Sequence, residues 1–215
     1  MNPFPIVLSA PSGSGKTTVT RHLMKRRSDI GYSVSCTTRS PRAGEVAGTD
    51  YLFVTDAEFV ARRDRGEFAE WAVVHGRLYG TLKSAVQKVL DEGRHVMMDI
   101  DVQGAAQFAL AYPDAVLIFM LPPSVEILVE RLQERQTENA ATLLTRLKSA
   151  RAELHAVQSY QYVVVNDDLE TAVDRVSSIV DAEEVKRERV RALDAQVDGL
   201  IARLEQEITS YTTKA

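Results

Sequence analysis

The chain has 215 residues, of which 45% are hydrophobic and 26% charged, and its formal net charge is −4. This composition is typical of a globular protein, and the acidic balance argues against a nucleic-acid-binding surface. No apolar run approaches the roughly 20 residues that a membrane-spanning helix needs. A single cysteine, Cys36, excludes internal disulfides and fits a reducing compartment. We therefore expect a cytoplasmic protein that binds neither nucleic acid nor membrane.

The first predicted element is a phosphate-binding loop. The apolar run Ile6–Ser9 predicts a strand, small residues follow it, and a helix-compatible segment comes next. In such a loop, consecutive backbone N–H groups and the helix N-terminus hold the phosphates of a nucleotide. Lys16 would reach the β- and γ-phosphates, and the Thr17 hydroxyl would ligate Mg²⁺. The predicted ATP-binding residues of this loop are Ala10, Pro11, Ser12, Gly13, Ser14, Gly15, Lys16, Thr17 and Thr18.

The following segment, 36–92, consists of short mixed stretches punctuated by glycines. We interpret it as an inserted β-rich subdomain in which a second substrate lies opposite the loop. Arg39 and Arg42 could each present a planar fork to a phosphate. By strand alternation Glu70 shares a face with Phe68, so its carboxylate is predicted to point into an enclosed site. There it can accept two parallel N–H donors, as guanine N1–H and N2–H₂ offer.

Three more apolar runs, Val96–Ile100, Val116–Leu121 and Tyr162–Val165, show no alternation, which is typical of strands buried on both faces of a parallel sheet. Helix-period segments lie between and beside them, at Val102–Tyr112, Ser124–Glu134 and Ala140–Val157. This order predicts a doubly wound α/β domain with its ligand site at the carboxyl ends of the strands. Asp99 ends one of these strands and is the expected second element of the Mg²⁺ site.

A phosphate-binding loop alone does not separate GTPases, ATPases, motor proteins and kinases. Residues Asp101 to Gly104 imitate the Asp-x-x-Gly of GTPases. A GTPase would also need Asn-Lys-x-Asp to read guanine, and the nearest candidate, Asn166 to Asp168, lacks the lysine and the spacing. The sequence therefore disfavours a GTPase.

The tail from Leu169 onward is one long helical pattern without proline. Its charged stretch, 183–191, predicts a solvated helix face that leads the helix away from the core. Beyond it, apolar residues recur at spacings of three and four, at Leu193, Val197, Leu200, Leu204 and Ile208. We predict an amphipathic C-terminal helix at 187–215, which either folds back on its own core or, as we favour, pairs with another subunit in a homo-oligomer.

Taken together, these residues closely resemble bacterial guanylate kinases from Ile6 to about Lys186. The matching stretches are Ser9–Thr17, Ser35–Glu45, Gly48 to Phe53, Glu70, Tyr79–Thr81, Asp99–Gly104, Pro122–Ser124, Arg131, Arg135, Arg146, Glu153 and Val165–Asp168. The resemblance implies a P-loop NTPase fold and transfer of the γ-phosphoryl of ATP to GMP, with Mg²⁺ as cofactor. It divides the chain into a core (1–35 and 93–186), a GMP-binding insertion (36–92) and an arginine-rich lid at about 134–150.

The resemblance also implies roles for single residues. It places the GMP phosphate on Ser35, Arg39, Arg42, Tyr51 and Tyr79, and guanine against Glu70, Thr81 and Asp101. The catalytic residues would be Lys16, Arg39, Arg135, Arg146 and Asp99. Arg135 and Asn166 would also lie beside the adenine, and Asp99 would support Mg²⁺ through a water. No catalytic base is required, because the acceptor is already a phosphate anion.

The sequence departs from the family pattern in three places. Gln136 stands where a lid glycine is usual, which we expect to stiffen the lid; Arg77 and Leu78 replace the usual Asn-Tyr; and the tail past Lys186 is longer.

Two alternatives remain on this scaffold. A phosphokinase of ribose 1,5-bisphosphate should lack the guanine-binding residues, and a non-catalytic guanylate-kinase-like binding module should lack an intact loop lysine. Both conflict with the residues present.

Overall fold

The computed structural model describes residues 2–42, 44–74, 76–133 and 140–214. The described residues between 3 and 179 form one compact unit, and those from 180 to 214, with Asn2, form another. In chain order the elements are β1 (Pro5–Ser9), α1 (Lys16–Arg26), β2 (Ile30–Tyr32), β3 (Cys36–Thr37), β4 (Leu52–Phe53), α2 (Asp56–Asp64), β5 (Phe68–Val74), β6 (Arg77–Leu82), α3 (Lys83–Asp91), β7 (His95–Asp99), α4 (Val102–Ala111), β8 (Val116–Leu121), α5 (Val125–Gln133), α6 (Ala140–Leu154), β9 (Tyr162–Val165), α7 (Leu169–Glu184) and α8 (Leu193–Lys214).

The larger unit is organised around a parallel sheet. Among the described residues, its five strands run in the order β2-β7-β1-β8-β9. Every residue of the central strand β1 is buried, and Leu8 near its end is paired with Asp99 of β7. The loop after β1 therefore starts at the middle of the carboxyl edge of the sheet, where ligands bind in α/β folds.

The predicted α/β class with helices flanking a parallel sheet is confirmed. The apolar runs at β1, β7, β8 and β9 form strands within one residue of the predicted bounds. Helices α3 and α4 pack in one cluster with residues of β1, β7 and β8, through Val86, Val89, Ala105 and Phe108. The short strand β2 was not predicted, because its three residues include Gly31 and give no apolar run.

A second sheet lies within the predicted insertion. Among the described residues its strands run in the order β4-β3-β6-β5, and β5 and β6 form an antiparallel hairpin. Its own apolar cluster consists of Cys36, Phe59, Phe68 and Leu82. A side chain at Gly80 would meet this cluster, because a Cβ there would lie 2.8 Å from Cδ1 of Phe68. The boundaries predicted for the core and the insertion remain predictions.

The tail corrects one expectation. It is not a continuous helix: α7 ends at Glu184, a turn of 3₁₀ helix follows at Arg187–Arg189, and α8 begins only after Ala192, whose φ is 52°. The reason is Glu183, whose side chain is 1% exposed and accepts bonds from Lys186 (2.7 Å) and Arg189 (3.2 Å). The charged stretch thus folds around a buried carboxylate instead of forming a solvated helix face.

The helix α8 is amphipathic as predicted. Of its five predicted stripe residues, four are exposed, from 43% at Val197 to 66% at Leu200, and Leu193 is partly buried. In the described part of the chain, no helix combines the length and hydropathy that crossing a membrane requires.

Candidate active site

A cleft of about 980 Å³ opens beside the phosphate-binding loop. Three parts of the larger unit contribute to its walls. The start of α1 and the end of β7 contribute Thr17 and Asp99; the loops around β3 and β4 contribute Arg42 and Tyr51; and α6 contributes Arg146. Residues from the predicted ATP, GMP and lid regions therefore meet at one cavity.

The predicted phosphate-binding loop has the backbone that its chemistry requires. Gly13 and Gly15 have φ of 87° and 88°, a left-handed conformation that glycine adopts without steric cost. Helix α1 begins at Lys16 with neither a side-chain cap nor an acidic residue in its first turn, and Thr18 lies in that turn. Its N-terminal N–H groups and the positive end of its dipole are therefore available to an anion. Lys16 Nζ lies on the loop itself, 2.9 Å from the carbonyl oxygen of Ala10.

Two distant side chains hold this loop in shape. Asn166 donates from Nδ2 to the carbonyl oxygen of Ser14 at 2.7 Å and is only 6% exposed. Glu153 accepts from the backbone N–H of Ser12 at 3.0 Å. The sequence had suggested Asn166 as an adenine neighbour, which stays a prediction, and it assigned no role to Glu153. A side chain that binds one backbone group more than a hundred residues away leaves no signal in the sequence around it.

The two predicted metal-binding residues contact each other. Thr17 Oγ1 donates to Oδ2 of Asp99 at 2.8 Å, at the point where α1 starts and β7 ends. The other carboxylate oxygen of Asp99 accepts from the hydroxyl of Tyr32, at 2.5 Å. Burial, followed by the charge of Asp99, raises the pKa of Tyr32 well above its usual value, so this hydroxyl stays protonated and donates. A carboxylate and a hydroxyl oxygen suit a hard cation such as Mg²⁺.

Tyr32 is a site residue that the sequence analysis missed. It lies at the end of the unpredicted strand β2 and lines the cleft. In the sequence it is marked only by its position shortly before Ser35 and Arg39, two of the predicted GMP-phosphate residues.

The predicted GMP-phosphate residues cluster around Arg39. Its guanidinium donates to both carboxylate oxygens of Glu45 (2.7 and 2.9 Å), and Nε donates to the hydroxyl of Tyr79 at 3.1 Å. The guanidinium carbon also lies 5.3 Å from the ring centre of Tyr51. Hydrogen bonds from Arg39 and from the backbone N–H of Arg42 lower the pKa of Glu45 to about 2. The Glu45 carboxylate thus occupies the two guanidinium N–H donors of Arg39 that would also suit a phosphate.

Glu70 and Thr81, the predicted guanine neighbours, are joined in a buried pair. Thr81 Oγ1 donates to Oε1 of Glu70 at 2.7 Å, and Glu70 is 5% exposed. Burial raises the pKa of Glu70 to about 7, although the bond from Thr81 opposes the shift. Relative to its usual value of 4.5, this corresponds to about 3 kcal/mol against the ionised form. Additional hydrogen-bond donors would therefore stabilise the ionised form of this buried carboxyl group.

Helix α4 completes the surroundings of Glu70. A Cβ at Gly104 would lie 2.5 Å from Oε2 of Glu70, so only glycine leaves room for that carboxylate. Asp101 caps α4 and accepts from the N–H of Gly104 at 2.8 Å. The three predicted guanine-side residues are thus brought to one place.

Strand alternation gave the wrong neighbour for Glu70. The β5–β6 pairing shifts between Phe68 and Glu70, so that Phe68 is opposite Leu82 and Glu70 is opposite Thr81. Because adjacent residues of a strand point to opposite faces, Glu70 and Phe68 lie on opposite faces of the sheet. Phe68 enters the apolar cluster, whereas Glu70 lies on the face with Thr81.

The remaining predicted residues are placed as follows. Ser35 directly precedes β3, and its carbonyl oxygen accepts from the N–H of Leu52 at 2.8 Å. Arg146 lies on α6 and lines the cleft. Arg135 and Gln136 lie outside the described residues, together with the rest of the predicted lid up to residue 139.

The parallel sheet has a phosphate-binding loop after its central strand. The second sheet carries the buried carboxyl group of Glu70, and the loop after its strand β3 carries Arg39 and Arg42. This combination defines a P-loop kinase of nucleotides. The guanylate kinase family model matches residues 2–183, so the chain belongs to the guanylate kinase family. Members of this family are nucleoside monophosphate kinases that transfer a phosphoryl group from ATP to GMP, and this is the activity of the chain.

Individual relatives agree with the family model. The guanylate kinase of Thermotoga maritima is 48% identical over 197 residues, covering 90% of this chain and 95% of that protein. The guanylate kinase of Myxococcus xanthus is 48% identical over 186 residues, which is 86% of this chain and 89% of that one. A crystal structure of guanylate kinase from Anaplasma phagocytophilum superposes with a TM-score of 0.76 at 35% identity, covering 92% of this chain and 94% of that chain.

Proposed function

We propose that the chain performs this transfer by positioning and charge neutralisation, with Mg²⁺ as its cofactor and without a covalent intermediate or a catalytic base. The observation that carries the proposal is the shared cleft, which Thr17 and Asp99, Arg42 and Tyr51, and Arg146 line from three sides. Phosphoryl transfer needs the two substrates in line and their charge balanced, and residues placed in this way would supply both.

On the ATP side, the uncapped N-terminus of α1 and the N–H groups of the loop would hold the β- and γ-phosphates. Lys16 would leave the carbonyl oxygen of Ala10 and turn to the phosphates. Thr17 and Asp99 would hold Mg²⁺, which neutralises the charge of these phosphates.

On the GMP side, the acceptor phosphate would replace the Glu45 carboxylate on the guanidinium of Arg39. Tyr79 already holds Nε of Arg39, and Tyr51 packs near the same guanidinium, so the fork is oriented before substrate arrives. Ser35 and Arg42 would add further donors to this phosphate.

Glu70 would select guanine. Ionised Glu70 accepts two N–H groups from guanine, whereas adenine presents an unprotonated ring nitrogen at the matching position. Thr81 fixes one carboxylate oxygen, and Asp101 lies beside the pair at the start of α4. An adenine base would leave the buried carboxylate with the bond from Thr81 but without the two donors of guanine, which is costly.

The lid would complete the charge balance. Arg146 on α6 already lines the cleft, and Arg135 would act from the lid segment. Arg135 and Asn166 would also lie beside the adenine.

We place the reaction in the cytoplasm, which fits the single, fully buried cysteine.

A coupled assay of ADP release tests the proposal. GMP, AMP, UMP and ribose 1,5-bisphosphate would be compared as acceptors, each with Mg²⁺ and with EDTA. We expect fast turnover with GMP and Mg²⁺ only. Faster turnover of ribose 1,5-bisphosphate would support the sugar-phosphate alternative, and no turnover with any acceptor would support a binding module.

A further inference from the structure

The helix α5 contacts the phosphate-binding loop through apolar residues, and α6 packs against α5. Leu128 and Leu132 of α5 form a cluster with Ala150 of α6. A Cβ at Gly13 would lie 3.0 Å from Cδ2 of Leu132, so the apex of the loop rests directly on α5. Apolar contacts of this kind hold two surfaces together but do not fix how one helix is rotated or shifted along the other.

A polar contact joins α6 to the loop directly and constrains that relation. Oε2 of Glu153, near the end of α6, accepts from the backbone N–H of Ser12 at 3.0 Å. A carboxylate that accepts a backbone N–H makes a directional, charge-assisted bond. An acidic residue this close to a predicted triphosphate site opposes anion binding on charge grounds, so its presence calls for a specific function.

The position of Glu153 on its helix suggests this function. Arg146 precedes Glu153 by seven residues on α6, and two helical turns place both side chains on the same face, about 10 Å apart along the axis. Arg146 lines the cleft, and Glu153 binds the loop at its edge. A shift of α6 relative to the loop would therefore move Arg146 relative to the phosphates.

We propose that Glu153 is a positioning residue: by binding the N–H of Ser12 it fastens α6 to the phosphate-binding loop and sets the position of Arg146 over the transferring phosphoryl group. The inference rests on the proposed role of Arg146. Glu153 itself contacts no reacting atom.

A double-mutant cycle tests the proposal. Glu153→Ala should lower kcat on the order of tenfold, as expected for the loss of a charge-assisted bond, and leave the KM of GMP unchanged. In the Arg146→Ala background the same change should lower kcat by less than about twofold, because the arginine that Glu153 positions is then absent. Glu153→Gln keeps an oxygen acceptor of the same reach and should restore kcat to within about threefold of wild type. Thermal unfolding would show that each variant is folded.

The outcomes separate the inference from the proposed function. If Arg146→Ala is slow but the effects of the two changes multiply, Glu153 acts independently of Arg146 and the inference fails alone. If Arg146→Ala turns over like wild type, the proposed role of Arg146 fails and the inference fails with it. A lower KM for ATP in Glu153→Ala with unchanged kcat would also overturn the inference, because the carboxylate would then be a competitor of the phosphates.

Discussion

The phosphate-binding loop is made of consecutive residues, whereas the predicted guanine pocket is assembled from β5, β6 and the start of α4. In the loop, the order of strand, glycine turn and helix already determines where the N–H groups point. In the pocket, Glu70 is useful only because the pairing of β5 with β6 brings Thr81 beside it and Gly104 leaves space. Phosphate binding can therefore be predicted from a local motif, while base selectivity depends on tertiary structure.

The largest expected effect tests the loop. Lys16→Ala should lower turnover by about two orders of magnitude or more, because the lysine would neutralise charge that develops on the transferring phosphoryl group. Steady-state kinetics would measure the loss, and circular dichroism would show that the variant is folded. GMP affinity by calorimetry should stay near wild type. A variant that turns over at a near-wild-type rate would contradict the role given to Lys16.

The next effect tests the pocket. Wild type should prefer GMP to AMP by about 10³-fold or more in kcat/KM, and Glu70→Gln should lower this ratio by at least about tenfold. The amide keeps the size of the side chain but offers one acceptor where the carboxylate offers two. Glu67→Gln is a matched control, because Glu67 lies just before β5 and pairs with Arg65 at the surface. An unchanged ratio in Glu70→Gln would show that Glu70 does not contact the base.

The raised pKa of Glu70 predicts a pH dependence. Guanine needs the ionised carboxylate, and with a pKa of about 7 this form is mostly lost as pH falls below 7. The KM of GMP should therefore rise about tenfold from pH 8 to pH 6. The phosphate of GMP titrates nearby, so Glu70→Gln serves as the reference: its KM should follow the phosphate alone. Identical profiles for the two proteins would count against an elevated pKa.

The metal side of the loop yields a smaller effect. Tyr32→Phe removes one hydroxyl that orients Asp99 and should raise the Mg²⁺ concentration for half-maximal activity about fivefold. The maximal rate at saturating Mg²⁺ should change little, because Asp99 and Thr17 remain. Tyr112→Phe, a tyrosine stacked on Phe108 in the core, is the matched control. An unchanged Mg²⁺ requirement would mean that Thr17 alone orients Asp99.

How much of the fold could be predicted from the sequence follows the same division between local motifs and tertiary structure. Continuous apolar runs predicted β1, β7 and β8, because burial on both faces demands apolar residues at every position. The run at β9 also forms a strand, but the expected burial on both faces is wrong there, because β9 lies at the edge of the sheet and Val163 and Val165 are 49% and 37% exposed. The strand β2 and its Tyr32 escaped prediction, since a three-residue strand exists only through its pairing with β7. The bulge before Glu70 escaped as well, because a shift in pairing changes the face of a side chain without changing the local pattern.

Ion pairs were the least predictable feature. Arg39 was predicted to bind phosphate, but its bidentate contact with Glu45 depends on how a loop folds back. The charged stretch at 183–191 has the mixed signs of a solvated helix, yet Glu183 is buried and its partners end the helix. Helical periodicity describes which residues share a face and says little about where a helix stops.

The smallest expected effect on activity concerns α8, which begins after the last residue that the guanylate kinase family model matches. Leu200, Leu204 and Ile208 are 61–66% exposed. An amphipathic helix with an unburied apolar stripe gains free energy by pairing, and two copies of one stripe are self-complementary in an isologous dimer. We therefore predict that a chain ending after Arg191 keeps its GMP kinase activity within about twofold but sediments as a monomer, whereas the full-length chain forms a dimer or larger assembly.

The truncation is placed there because Lys186 and Arg189 must remain to pair with buried Glu183. Leaving that carboxylate without its partners would destabilise the chain and confuse a loss of assembly with a loss of folding. A full-length variant with Leu200→Glu and Leu204→Glu is the second arm, since it puts charge on the stripe without shortening the chain. Its control is Gln206→Glu, because Gln206 is exposed and, two residues after Leu204, lies on the opposite face of the helix. Analytical ultracentrifugation at tens of micromolar decides the matter. A full-length chain that is monomeric at that concentration removes pairing through α8 and leaves its apolar stripe without a role in self-association.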